Sequence, residues 1–312
     1  QRAAFGLVGG RQINAAGNFS TFSLTNTLAA TANKFLREGW MSVDQTPLRI
    51  AAIRSVRDFK TTTTISLTGG FQFEKLSPDG EIVHATPGEL TYTNRADTYG
   101  IMFAVSRQDI INDDLGALTA IPRRIGRGGM LKLNDIFWTT FLNNSTFFSS
   151  GNSNVSTDTG ALGTLGLQQA ETIFMNQTDP DGKPLGATPQ ILLVPTALKS
   201  TALQLMTSEK VKGSTDSPDA NVFMGRFRVE SSPYMSNTAY TGYSAVAWYL
   251  LADPSDIPVI EIAALNGRVE PTVETADTDF NTLGIQMRGY SDVGVALQEK
   301  RGGVRADGSA AG

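Results

Sequence analysis

Phe59-Lys60-Thr61-Thr62-Thr63-Thr64-Ile65-Ser66-Leu67 is the stretch that decides the fold of this chain. β-Branched residues in succession favour extended backbone, and a polar/apolar alternation follows in Phe71-Gln72-Phe73 and Leu90-Thr91-Tyr92-Thr93. Gly69-Gly70, Ser77-Pro78-Asp79-Gly80 and Pro87-Gly88 supply the turns between these runs. The period-two pattern runs from Leu48 to Asp109 and predicts one long, polar hairpin excursion within it. Its threonines leave too little apolar surface for a core, so it would be marginal alone and needs a neighbouring surface to lie on.

Working outward, the residues before the hairpin are rich in Gly, Ala, Ser, Thr and Asn, with scattered Phe5, Phe19, Phe22 and Phe35. This suits an extended arm better than an independent domain. Leu24, Leu28, Ala32, Phe35 and Leu36 predict a helix from about Ser23, with Gly39 as its stop. After the hairpin, Asp113-Asp114 is a helix-start signal. Leu118, Ile121, Ile125, Leu133, Phe137 and Phe141 then recur at helical spacing, predicting a long helix to about Asn143 that is interrupted by Pro122 and the glycines at 126, 128 and 129.

A Gly/Ser-rich linker is expected from Asn144 to Gly163. Beyond it the pattern alternates: helix Leu165–Gln177, strand Gln190–Val194, helix Thr196–Thr207, a polar loop Lys210–Ala220, then strands Phe227–Val229, Ala245–Leu251, Val259–Ala263 and Leu283–Leu297. Gly302–Gly312 reads as a frayed tail. The whole is α+β, with an α/β texture in its second half.

Composition narrows the function classes. The chain has 312 residues, 40% hydrophobic and 18% charged, enough for a sizeable core. Net charge is −4, which gives no general attraction to nucleic acid or an anionic membrane. From Gln1 to Lys60, however, eight basic residues face three acidic ones, so this part could face a polyanion. Cysteine is absent, which excludes disulfides, thiolate metal sites and cysteine nucleophiles. The longest apolar candidate, Ser244–Ala252, falls short of a membrane helix. The sequence starts at Gln1 without tag or signal character, and proteolytic maturation is the expectation drawn from that.

Catalytic patterns are thin. His84 is the sole histidine, which leaves a Ser-His-Asp triad one possible base and reads better as a surface or interface residue. Arg123-Arg124-Ile125-Gly126-Arg127-Gly128-Gly129 matches neither phosphate-binding glycine motif and follows no apolar strand. Helix packing at small residues, with a basic face formed by Arg123, Arg124 and Arg127, is the preferred account. No metal, no cofactor and no catalytic residue is expected. A carbohydrate-binding or adhesion protein, favoured by the Ser/Thr/Asn/Gly content, and an unrecognised hydrolase are the alternatives. Neither explains a coreless arm and a coreless hairpin together.

The order of arm, polar hairpin, long helix, α/β lobe and return strand resembles the major capsid proteins of tailed bacteriophages, the Hong Kong 97-type fold. Ile110-Ile111-Asn112-Asp113-Asp114-Leu115-Gly116-Ala117 is similar to the entry of that family's spine helix, in the branch related to prohead protease fusions and Mu-like head subunits. Gln190–Leu198 is similar to the strand-to-helix step of its axial domain. Ala247–Pro254, Ile260-Glu261, Leu265-Asn266-Gly267 and Arg301-Gly302-Gly303 resemble its late part.

The resemblance implies an N-terminal arm (1–46), a peripheral domain with the spine helix (47–56 and 108–162), an extended loop (57–107), an axial domain (163–259), and return strands with a tail (260–312). It implies a subunit that joins copies of itself as hexamers and pentamers into an icosahedral head, assembled in the host cytoplasm and located in the virion. Portal and decoration or cement proteins, and packaged double-stranded DNA bound non-specifically, are the implied further partners. Some relatives cross-link the extended loop through a Lys–Asn bond, and Lys60 and Lys75 lie in the corresponding excursion. Lys60, Lys75, His84, Arg123, Arg124 and Arg127 are the candidate intersubunit contacts.

Overall fold

The structure, a computed structural model, describes residues 32–68, 88–106, 116–156, 160–179, 182–212, 218–277 and 284–308. In chain order the elements are α1 (32–41), α2 (Thr46–Ile50), β1 (Ala52–Val56), β2 (Thr62–Thr68), β3 (Gly88–Asn94), β4 (Asp97–Ser106) and α3 (Gly116–Leu142). There follow β5 (Val155–Ser156), α4 (Thr164–Met175), β6 (Ile191–Pro195), α5 (Lys199–Thr207), β7 (Lys210–Lys212), β8 (Pro218–Ala220) and β9 (Arg228–Ser232). The last strands are β10 (Trp248–Leu251), β11 (Ile260–Leu265), β12 (Thr272–Asp277), β13 (Gly284–Leu297) and β14 (Gly303–Ala306). Contacts divide the chain into one unit of residues 1–43, 98–132 and 268–292 and a second of 44–97, 133–267 and 293–312.

In the first unit, β12 pairs antiparallel with residues 285–290 of β13, and β4 also pairs with β13. Leu36, Ile125 and Met287 are buried together against this ladder. α1 crosses α3 where both helices carry glycine. A Cβ on Gly39 would lie 1.9 Å from the Arg123 carbonyl oxygen, and one on Gly126 would lie 2.0 Å from that of Leu36. Gly39 therefore does not stop α1. The helix runs on to residue 41, and the missing side chain is used for close approach instead. Pro122 and the three glycines do not interrupt α3 either. A proline forfeits one backbone bond, and the burial of Ile125, Met130, Leu133, Phe137 and Phe141 along the same helix outweighs that loss.

The second unit is built on a mixed sheet in the order β5-β14-β10-β6-β9. Its central strands β6 and β10 are buried on both faces. On one face Leu192, Val194, Trp248, Leu250, Val304 and Ala306 meet Leu167, Ala170 and Phe174 of α4 and Ala202, Leu205 and Met206 of α5. On the other, Tyr249 meets Phe141 and Phe148, with ring centroids at 5.1 and 5.3 Å. Trp138 extends this aromatic layer and donates its indole N–H to Asn134 Oδ1 at 3.2 Å. Asn134 Nδ2 in turn donates to the Asp44 carbonyl at 3.0 Å.

Three expectations fail in this unit. Residues 144–156 form an ordered return rather than a linker, because the amides of buried Asn144 and Asn154 satisfy its backbone. Asn154 accepts from the Ser149 N–H at 2.9 Å and donates to the carbonyls of Phe147 and Lys300 at 3.0 and 2.9 Å. Gly303–Ala306 is no frayed tail but an interior strand, antiparallel to β10 and parallel to β5. A Cβ at Gly303 would meet Leu251, Phe148 and Val259 at 3.1–3.2 Å, so glycine there reflects close packing rather than looseness. The loop expected at Lys210–Ala220 carries a short antiparallel ladder, β7 with β8.

Candidate functional site

β2 and β3 pair antiparallel from Thr62↔Asn94 to Thr68↔Gly88 and form a separate two-stranded sheet. This is the hairpin read from the threonine run. Its root is held by polar groups of the second unit. Asn94 Nδ2 donates to Glu261 Oε1 at 3.1 Å and to the Glu261 carbonyl at 3.3 Å. Arg54 Nη1 lies 3.7 Å from Glu261 Oε2 and also reaches Thr64 Oγ1 on β2. Glu261 is buried, so a charge that would be costly alone is met by a guanidinium and an amide.

Two residues earlier on β3, the Tyr92 hydroxyl donates to Glu299 Oε2 at 2.9 Å. Burial holds its proton well above the usual phenol range, with the nearby Glu299 charge and hydrogen bond adding to the effect. At the base Val56, Ala96 and Ala263 form a small apolar cluster. A Cβ at Gly294 would lie 1.7 Å from the Arg95 carbonyl oxygen, so β13 passes directly under the hairpin root. The root is thus fixed, while among the described residues the strands above it pair with no third strand.

The candidate contact residues divide among several places. Lys60 is exposed in the bend that leads into β2, with its N–H donating to Asp58 Oδ1 at 3.3 Å. Arg123, Arg124 and Arg127 are exposed on α3, as a basic face requires. Arg123 is paired with Glu38 of α1, and Arg127 Nη1 donates to Ser42 Oγ at 3.3 Å. These two arginines therefore brace the α1–α3 crossing within the first unit. Lys75 and His84 lie outside the described residues. The sequence reading missed Asn94, Glu261 and Glu299, whose partners are 167 and 207 residues distant. No local spacing signals such pairs.

Among the described residues, no group of three or more His, Asp and Glu side chains could hold a metal ion. The buried carboxylates are engaged structurally: Glu230 meets Arg49 at 3.2 Å and Arg228 at 3.3 Å, and Glu261 and Glu299 hold the hairpin root. No helix among the described residues is long and apolar enough to cross a membrane.

The family model described as "Phage capsid protein" matches residues 90–306. The chain belongs to the phage capsid protein family. No curated protein matches it in sequence. Among solved structures the capsid protein is similar to the capsid of cyanophage P-SCSP1u, at 9% identity and TM-score 0.53, covering 84% of this chain and 88% of that one. It is also similar to the mature capsid of bacteriophage PhiM1, at 9% identity and TM-score 0.53, covering 84% and 86%. A virus-like particle from Pyrococcus furiosus matches at 10% identity and TM-score 0.50, covering 88% and 98%. At such identities these likenesses speak to the fold, which is the Hong Kong 97-type capsid fold. The capsid protein is a structural, shell-forming subunit located in the virion capsid. The adhesion-protein alternative finds no support.

Proposed function

We propose that this capsid protein joins copies of itself into hexamers and pentamers of an icosahedral head that encloses double-stranded DNA, and that it catalyses no reaction. The observation that carries this reading is the hairpin: among the described residues β2 and β3 pair only with each other, on a firmly bonded root. Two-stranded ribbons are marginal in water, so a surface beyond the subunit must stabilise this one. In this reading residues 1–46 act as the arm, 57–107 as the loop that reaches a neighbour, 163–259 as the lobe at the capsomer centre, and 47–56, 108–162 and 260–312 as the periphery. Lys60, Lys75, His84 and the α3 arginines lie at or near contacts between copies. Portal and decoration or cement proteins are its further partners in the head.

Electron microscopy of the purified protein tests the proposal. Closed shells, or rings of five and six, are the expected result. A uniform 33.4 kDa monomer at every concentration would overturn it.

A further inference from the structure

Strand β4 forms a ladder with β13 on one side and, among the described residues, has no strand on the other. Its middle reads Ile101-Met102-Phe103, and these side chains are 51%, 63% and 36% exposed. Successive strand residues point to opposite faces, so Ile101 and Phe103 share one face and Met102 takes the other. Strands that are apolar on both faces are found in sheets covered on both faces. Here apolar side chains on both faces of the strand are partly exposed.

Natural edge strands are protected by charge, proline or brevity. β4 is ten residues long, and from Thr98 to Ser106 it contains neither a charged residue nor a proline. Beside it lies a cleft of about 470 Å³, lined by Tyr99, Ile101, Ile125, Gly129, Pro271 and Tyr290. The Lys132 ammonium stands 5.5 Å from the centre of the Tyr99 ring, leaving the cleft with one cationic wall. The edge and the cleft form one continuous apolar seat within the first unit.

We infer that this seat is covered by a second copy of the chain, which lays main chain along the open edge of β4 and an apolar side chain in the cleft. The choice of occupant rests on the shell-forming reading, since a subunit of a closed shell is surrounded by its own copies. An edge without protective charges is what strand addition by such a neighbour requires. A lone soluble protein would be exposed there to uncontrolled pairing.

The absence of cysteine makes a direct test possible, because Met102→Cys supplies the only thiol. Its maleimide labelling rate is measured in the unassembled subunit, in particles assembled from the variant alone, and in denatured particles. The expected result is labelling at least tenfold slower in intact particles than in the free subunit, with full labelling after denaturation. Equal rates would overturn the inference and leave the shell reading standing. So would protection found only in native virions that contain other proteins, because the cover would then be another protein. Met102→Lys is the second variant. A folded subunit with wild-type circular dichroism and melting that forms no particles supports the seat, and wild-type particle yield overturns it. Failure of the unaltered chain to form particles at all would instead remove the shell-forming reading on which the inference stands.

Discussion

An alanine Cβ at Gly39 would come within 1.9 Å of the Arg123 carbonyl oxygen, and one at Gly126 within 2.0 Å of that of Leu36. Both obstacles are helix backbone, so no rotamer change relieves them. To restore ordinary contact α1 must retreat from α3 by about 1.5 Å, which loosens the packing of Leu36 against Ile125. Overpacking of this kind costs about 1–3 kcal/mol. Glycine to alanine inside a helix returns about 0.5–1 kcal/mol. The balance is a loss of up to about 2.5 kcal/mol for Gly39→Ala and for Gly126→Ala. Gly128 supplies the control, since a Cβ there meets nothing within 4 Å. Gly128→Ala should raise stability by about 0.5–1 kcal/mol through helix propensity alone. The double variant Gly39→Ala/Gly126→Ala should cost less than the sum by at least about 0.5 kcal/mol, because one retreat serves both. Urea unfolding of the unassembled subunit, followed by tryptophan fluorescence with Trp40 in the affected unit, reads all four. If Gly39→Ala matches Gly128→Ala in sign and size, the close crossing is refuted.

Other perturbations test the second unit. Asp44 Oδ1 accepts from the N–H and hydroxyl of Thr46 at 3.0 and 2.6 Å, and its Oδ2 accepts from the Ser232 hydroxyl at 2.6 Å. Asp44→Ala should lower unfolding free energy by about 1–3 kcal/mol in chemical denaturation, more than Asp256→Ala on the exposed Asp253–Asp256 turn. Val304 is fully buried. Val304→Ala should cost about 1–3 kcal/mol, and Val304→Asp should leave no cooperative melt, whereas a true tail would tolerate both. Burial, with the neighbouring Asp135 carboxylate, raises the Tyr240 hydroxyl from 10.0 to about 12. A raised pKa means stability that is present below pH 10 and is lost as pH climbs toward about 12. Tyr240→Phe should therefore flatten stability against pH in that window, and an unchanged alkaline slope would refute the raised hydroxyl.

The hairpin, α4, β6, α5, β11 and β13 were legible in the sequence because each announces itself locally. Threonine runs, helical spacing and bounded apolar runs all act over a few residues. The glycines were harder. At Gly39, Gly126 and Gly303 the residue type was noticed, but glycine marks stops, kinks and close contacts alike, and only the neighbouring backbone decides among them. β12 escaped notice since Thr272-Val273-Glu274-Thr275 carries little apolar weight and is held by its ladder to β13. At the hairpin root, Arg54, Asn94, Tyr92, Glu261 and Glu299 look like ordinary surface residues until the chain brings them together. The basic face of α3 was visible, yet its ties to Glu38 and Ser42, 85 residues earlier, were not.

The position of β14 also governs timing. It lies between β5 and β10, so the sheet of the second unit stays split into separate pieces until residues 303–306 have left the ribosome. A nascent chain lacking them has Trp248 and Leu250 without their partners Val304 and Ala306, and cannot close that core. Completion of the lobe is thereby tied to the synthesis of residues 303–306, and a fragment released before them has no finished lobe to offer a growing shell. In a particle of many identical parts, a check made on each chain before it joins protects all the others from a defective neighbour.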